Sequence, residues 1–297
     1  MRMLRVFFVL VPLVTALGCE SGSEEGTPAD CSAAEELTNA SIDGGRSLTA
    51  GTCYVVRSNL TLDDGTLEAR AGVTIQFATD VGLTVRSGGQ LRVSGTSAAP
   101  VLFTGLDPVV EWRGVRLDDS QGVDNAWTHL VVENAGSTAW TGADYSAAAV
   151  YLDGSTTVSM DAVEVRGSAG HGLLVDEDVS FTFSNGALRD NLYPAYLHPE
   201  VVSAIPVDTV IEGNDNPYLR VVFGNTDAVT GEHTWAPHLY RIEDRFRVDG
   251  DLTIAPGARL DFAQDASLIV SADASFTAVG SASSPITFAG AAETRGF

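Results

Sequence analysis

A histidine held between two glycines, Gly170-His171-Gly172, and several runs of adjacent carboxylates are the residues of this chain that could do chemistry. Cleaving a glycosidic bond needs a proton donor and a base or nucleophile on opposite sides of the bond, so His171 with a pair such as Asp118-Asp119 is a candidate for that reaction. Carboxylate clusters could instead hold calcium, whose oxygen ligands sit at about 2.3–2.6 Å. The candidates are Asp176-Glu177-Asp178, Asp63-Asp64, Asp118-Asp119 with Asp124, and Glu212 with Asp215. None has the spaced oxygens of a dedicated calcium loop, and such runs commonly form solvated turns, so the reading for cofactors is none, with calcium as the single candidate. There is no Gly-x-Ser-x-Gly elbow for nucleophilic serine catalysis.

What would position these residues is a repeat. Leu67 to Gly105 lies without a gap on Leu252 to Gly290, 185 residues on, with eleven of 39 positions identical, among them Gly72/Gly257, Phe77/Phe262 and Phe103/Phe288. Apolar alternations of three to five residues, such as Thr74 to Phe77, are separated by Gly, Asp, Ser and Asn clusters, which is strand-and-turn spacing with no helical stripe. Between the two copies, segments starting at Val163, Gly186 and Thr209 stack at a constant 23 residues, aligning Val165 with Leu188 and Ile211, and Ser168 with Asn191 and Asn214. A period of this length with several strands per period predicts an all-β, right-handed parallel β-helix of stacked coils, without a substantial helical domain. The Ser/Asn register reads as a polar ladder at a turn.

One more coil fits upstream if Val132 matches Val165 and Tyr151 matches Leu174, with ten extra residues falling in Gly136 to Ala148. Insertions on one face of a repeat fold are frequent binding sites, so Trp140, Asp144 and Tyr145 form a candidate binding loop. The same register aligns His171 with Pro194 and Pro217, which reads as a turn where the chain leaves one sheet.

With 297 residues and 44% hydrophobic composition, the chain can bury a large core. A formal charge of -22, with every basic residue an arginine, repels nucleic acid and anionic lipid headgroups and excludes nucleic acid as a partner. The first 18 residues have the layout of a secretory signal: Arg2 and Arg5, an apolar run from Val6 to Leu17, then Gly18-Cys19. Ala16-Leu17-Gly18-Cys19 resembles a bacterial lipobox, which implies lipid on Cys19, export, and anchoring at an outer membrane or cell surface. Lipid on Cys19 leaves Cys31 and Cys53 to pair, a disulfide that an oxidising compartment permits. Residues 19–50 then read as an acidic tether and cap, 51–222 as a first run of coils, 223–250 as a connection, and 251–297 as the opening of a second, truncated run.

Leu252 to Phe262 followed by Ser283 to Phe288, with the connecting segment His233 to Gly257, resembles the right-handed parallel β-helix repeat proteins that bacteria export as large lipoproteins. The resemblance implies a surface or periplasmic lipoprotein with a structural, adhesive or polysaccharide- or protein-binding role. The enzymatic alternative is a polysaccharide lyase or glycoside hydrolase, because pectin-hydrolysing β-helices also carry a Gly-His-Gly. In that family, acidic motifs lie about one coil from it and a basic triplet follows. Here Asp118-Asp119 precedes His171 by about 52 residues, no Asn-Thr-Asp occurs, and Arg241-Ile242-Glu243 stands where the triplet would be.

Overall fold

A computed structural model describes residues 31–222 and 228–291 of the chain. Arg2, Arg5, Cys19 and the acidic tether lie outside the described residues. The fold is all-β, and every pairing between its strands is parallel. A short helix at Asn39–Ile42 and two 3-10 turns are the only helical elements among the described residues.

The strands form long rows. The first row carries eight, from Glu35–Glu36 through Thr74–Phe77, Val101–Gly105, Leu130–Glu133, Glu164–Arg166 and Ala187–Arg189 to Val210–Glu212, with Cys53–Val56 second in the order. A second row starts from two long strands, Leu60–Arg70 and Gly82–Ser94. It continues through Gly114–Asp118, Ala148–Asp153, His171–Val175, Tyr193–Leu197, Leu219–Val221, Leu239–Ile242 and Arg259–Phe262 to Thr287–Gly290. The far ends of these two strands, with Arg46–Ser47 paired on Leu67 and Glu68, begin a shorter third row that continues through Ala126–Thr128, Thr157–Asp161 and Ser180–Ser184. Pairing therefore runs on through Asp63-Asp64 and Ser87-Gly88-Gly89, where the sequence reads as turns.

Parallel neighbours need a long crossover between them, and here each crossover passes through the other rows. The expected register is present: Val132 pairs with Val165, Val165 with Leu188, Leu188 with Ile211, and Tyr151 with Leu174. The ten extra residues fall where the spacing puts them. Alternate side chains point into one continuous core, in which Phe77 stacks on Trp112 at 4.1 Å and the Trp112 indole donates to the Glu133 carbonyl. At the N-terminal end, Leu37, Ile42 and Leu48 cover the first strands, and a Cys31–Cys53 disulfide ties this cover to its neighbouring strand. In the third row, the 3-10 turn Pro199–Ala204 packs on Ser180–Ser184 in place of a further strand.

The 185-residue repeat is structural. Thr74–Phe77 corresponds to Arg259–Phe262 and Val101–Gly105 to Thr287–Gly290, and within each copy the two strands pair. This strand pair lies in the first row in the first copy and in the second row in the second copy. Residues 228–250 hold four strands: Leu239–Ile242 continues the second row, while Ala228–Val229, Glu232–Trp235 and Arg245–Val248 belong to two further parallel sheets of three strands each, completed by Asp251–Ile254, Ser267–Val270 and Ser275–Ala278.

Ser168, Asn191 and Asn214 form the polar ladder. The Ser168 and Asn191 amides donate to the Oδ1 of Asn191 and Asn214, each at 3.0 Å. The Nδ2 groups of Asn191 and Asn214 donate to the Val165 and Leu188 carbonyls. All three residues are buried, so the amides hold a bent backbone that water cannot reach. Asn191→Ala strips a buried N–H and a buried carbonyl of their partners. It is expected to cost on the order of 2–5 kcal/mol in chemical denaturation, whereas loss of less than half a kcal/mol would show that the ladder carries no load.

Candidate functional site

The inserted segment, residues 136–148, folds back onto the outer face of the second row. Its own polar groups fix its shape: Ser146 Oγ accepts from the Thr141 amide at 2.9 Å and donates to the Ala143 carbonyl at 2.8 Å, across a 3-10 turn at Asp144–Ser146. The Trp140 indole N–H donates to the Ala148 carbonyl at 3.0 Å, and Arg113 lies over its ring. The ring is seated against Gly82, where a Cβ would come within 2.6 Å of it, so this close approach requires glycine. Trp140 is thus only partly exposed, while Asp144 and Tyr145 face solvent.

This packing gives the sheet a second apolar cluster on its outside, made of Ala148, Tyr151 and Leu174 with Trp140 and Tyr196. The strand His171–Val175 is consequently buried on both faces. The Tyr145 ring stacks on Tyr196 at 5.4 Å, His171 stacks on Tyr193 at 5.0 Å, and Tyr218 leans on Tyr193 at 5.9 Å. Arg220 lies over Tyr193 and Tyr196 and bonds Glu243 at 3.2 Å. Five of the seven tyrosines of the chain fall in this strip. That concentration between residues 145 and 218 is the sequence signal that could have revealed it.

His171 opens a strand and pairs with Tyr193, one residue short of the Pro194 expected from the 23-residue register. It is therefore a buried strand residue and does not mark a turn. Its Nε2 lies 3.1 Å from Arg220 Nη1, and an arginine can only donate, so Nε2 is an acceptor. The proton is then on Nδ1, 3.3 Å from the Ala147 carbonyl. Burial, and after it the Arg220 cation, hold its pKa down at about 4. The imidazole is neutral: Nδ1 ties the inserted loop to the sheet through the Ala147 carbonyl, and Nε2 holds Arg220 of a neighbouring strand.

The acidic candidates do not meet it. Asp118 pairs with Asp153, while His171 pairs with Ala148, five residues earlier on that strand, which separates the two by roughly 17 Å along the strands. Arg116 joins Asp118 to Asp153, and the Tyr151 hydroxyl donates to Asp176 at 2.7 Å. Burial raises the Asp176 pKa, and burial with this hydrogen bond raises that of Tyr151. Asp119 and Asp178 hold left-handed backbone conformations, and Asp119 accepts from the Ser155 amide. They make turns, as short polar side chains do. Glu177 lies 3.9 Å from His198 Nε2. Asp63, Asp124 and Glu212 each pair with an arginine, and Asp64 and Asp215 are exposed. Among the described residues, no group of three His, Cys, Asp or Glu is placed to hold a metal ion. A separate open groove of about 520 Å³ is lined by Glu177, Asp178, Ser180, His198 and Glu200.

No family model matches the chain, and comparison with the curated proteins and with the solved structures found no match. No helix among the described residues is long and apolar enough to cross a membrane.

A histidine whose folded pKa lies below its unfolded value of about 6.5 binds a proton more readily in the unfolded chain. Its contribution is full above pH 6.5 and is lost as pH falls toward 4. Relative to His171→Phe, the wild-type protein should lose on the order of 3 kcal/mol across that window. Denaturation curves of the two proteins that keep a constant separation from pH 7 to pH 4 would contradict the assignment.

Proposed function

We propose that the chain is an exported, lipid-anchored parallel β-helix protein that acts at a cell surface or outer membrane as a non-catalytic contact module for polysaccharide or other surface proteins. The parallel rows, the buried polar ladder and the covered first strands support a β-helix. Its right-handed form follows from the strong preference of parallel crossovers for that hand. The lipid anchor rests on the secretory layout of the first 18 residues and on the lipobox-like Ala16-Leu17-Gly18-Cys19, and membrane attachment through it is the partner implied.

One observation carries the contact role. The inserted loop is pinned from below by Trp140 and from within by Ser146, so that Asp144 and Tyr145 are presented in a fixed geometry. A preorganised aromatic side chain avoids much of the entropic cost that a flexible loop incurs on binding. The hydrolase reading loses support because His171 is buried, neutral and separated from Asp118 and Asp119, so these three residues do not act together on one bond.

Purified protein incubated with neutral and acidic polysaccharides, with and without calcium, is expected to release neither reducing nor unsaturated ends. Release of either would make it an enzyme. In cell fractionation, Cys19→Ala should move the protein from the membrane to the soluble fraction, and continued membrane partition would rule out a lipid at that residue.

A further inference from the structure

Resting on the reading of this flank as the contact surface, we propose that its ligand is a neutral glycan chain. The ring surface offered is that of amphipathic side chains: Tyr145, 52% exposed, presents the most, while Tyr218 is partly exposed and Trp140 and Tyr196 show only the parts of their rings that Arg113, Arg220 and Tyr145 leave uncovered. Tyrosine and tryptophan combine an apolar face with a polar edge, which suits a sugar ring with C–H faces and hydroxyl edges. The strip spans four neighbouring strands, from Ala148–Asp153 to Leu219–Val221, or roughly 14 Å at about 4.8 Å per strand. That is long enough for more than one ring of a chain.

The charges decide between a neutral and an acidic glycan. A uronate needs a cation whose hydrogen-bond donors are open to it. Arg116 is held between Asp118 and Asp153, and Arg220 between Glu243 and His171. Arg241 has its Nε buried, 3.9 Å from the same Glu243, and Arg113 is spread over Trp140 with its Nε on Thr138. Asp144 stands exposed beside Tyr145, and Asp153 and Asp176 flank Tyr151. A sugar carboxylate placed here meets like charges within a screening length of about 8–10 Å, on a chain of formal charge -22. Sugar hydroxyls, in contrast, donate to those carboxylates.

The test is affinity electrophoresis of the intact protein in gels containing neutral polymers (β-glucan, mannan, xylan) or acidic ones (polygalacturonate, alginate). A neutral polymer should retard it, with an affinity that does not fall as salt rises. Tyr145→Ala, with an unchanged melting curve, should weaken that affinity roughly tenfold, the scale of one aromatic contact. Retardation by acidic polymers alone, still sensitive to Tyr145→Ala, would overturn the neutral ligand and leave the flank as the contact surface. Binding to any polymer that is indifferent to Tyr145→Ala would overturn both. With no polymer retarding the protein, the glycan is overturned and only a protein partner stays compatible with the flank.

Discussion

Parallel pairing of successive strands is the constraint on which everything else depends. Each strand uses one edge for the segment before it and the other for the segment after it, so the backbone hydrogen bonds of any layer fix the length of chain that can reach the next. Side chains obey the same rule: Val132, Val165, Leu188 and Ile211 share one register and stack into one core. The turn between rows must bend in the same place each time. At Ser168, Asn191 and Asn214, side-chain amides satisfy the backbone that bends there.

Residues beyond the period have one place to go, which is outward. The inserted segment leaves the stack after Leu130–Glu133 and returns at Ala148–Asp153, and the outer face of the neighbouring strands is the surface within its reach. Covering that face buries His171–Val175 on both sides, and burial makes the histidine neutral and the tyrosines a packed cluster. The glycines around His171 serve packing as well: a Cβ at Gly170 would fall 2.3 Å from the Ala147 carbonyl oxygen, and one at Gly172 would fall 2.8 Å from Asn191 Nδ2. A Gly-His-Gly here is the signature of a crowded strand between a loop and a polar ladder.

The register of the strands was legible in the sequence because it repeats: equal spacing of Val165, Leu188 and Ile211 needs no knowledge of what they touch. The ladder was legible for the same reason, and the Cys31–Cys53 pairing followed from setting Cys19 aside for lipid among three cysteines. What the sequence hid was contact between segments that do not share a period. Nothing local links Tyr145 to Tyr196, Gly82 to Trp140, or His171 to Arg220. The slip that puts Tyr193 rather than Pro194 beside His171 is a single residue, invisible to a pattern that tolerates it. Acidic runs such as Asp118-Asp119 read equally well as ligands or as turns, and the left-handed backbone at Asp119 is what decides for the turn.

The outer flank is a contact surface only if the inserted loop is held to the sheet. Hydrogen exchange of the four indole N–H groups, with the Trp140 resonance identified from Trp140→Phe, tests this directly. The Trp140 indole should exchange as slowly as the backbone amides of the His171–Val175 strand beneath it. Exchange at the rate of a solvent-exposed indole, while the Trp112 and Trp127 indoles remain protected, would show a loop that does not dock and a flank without a site.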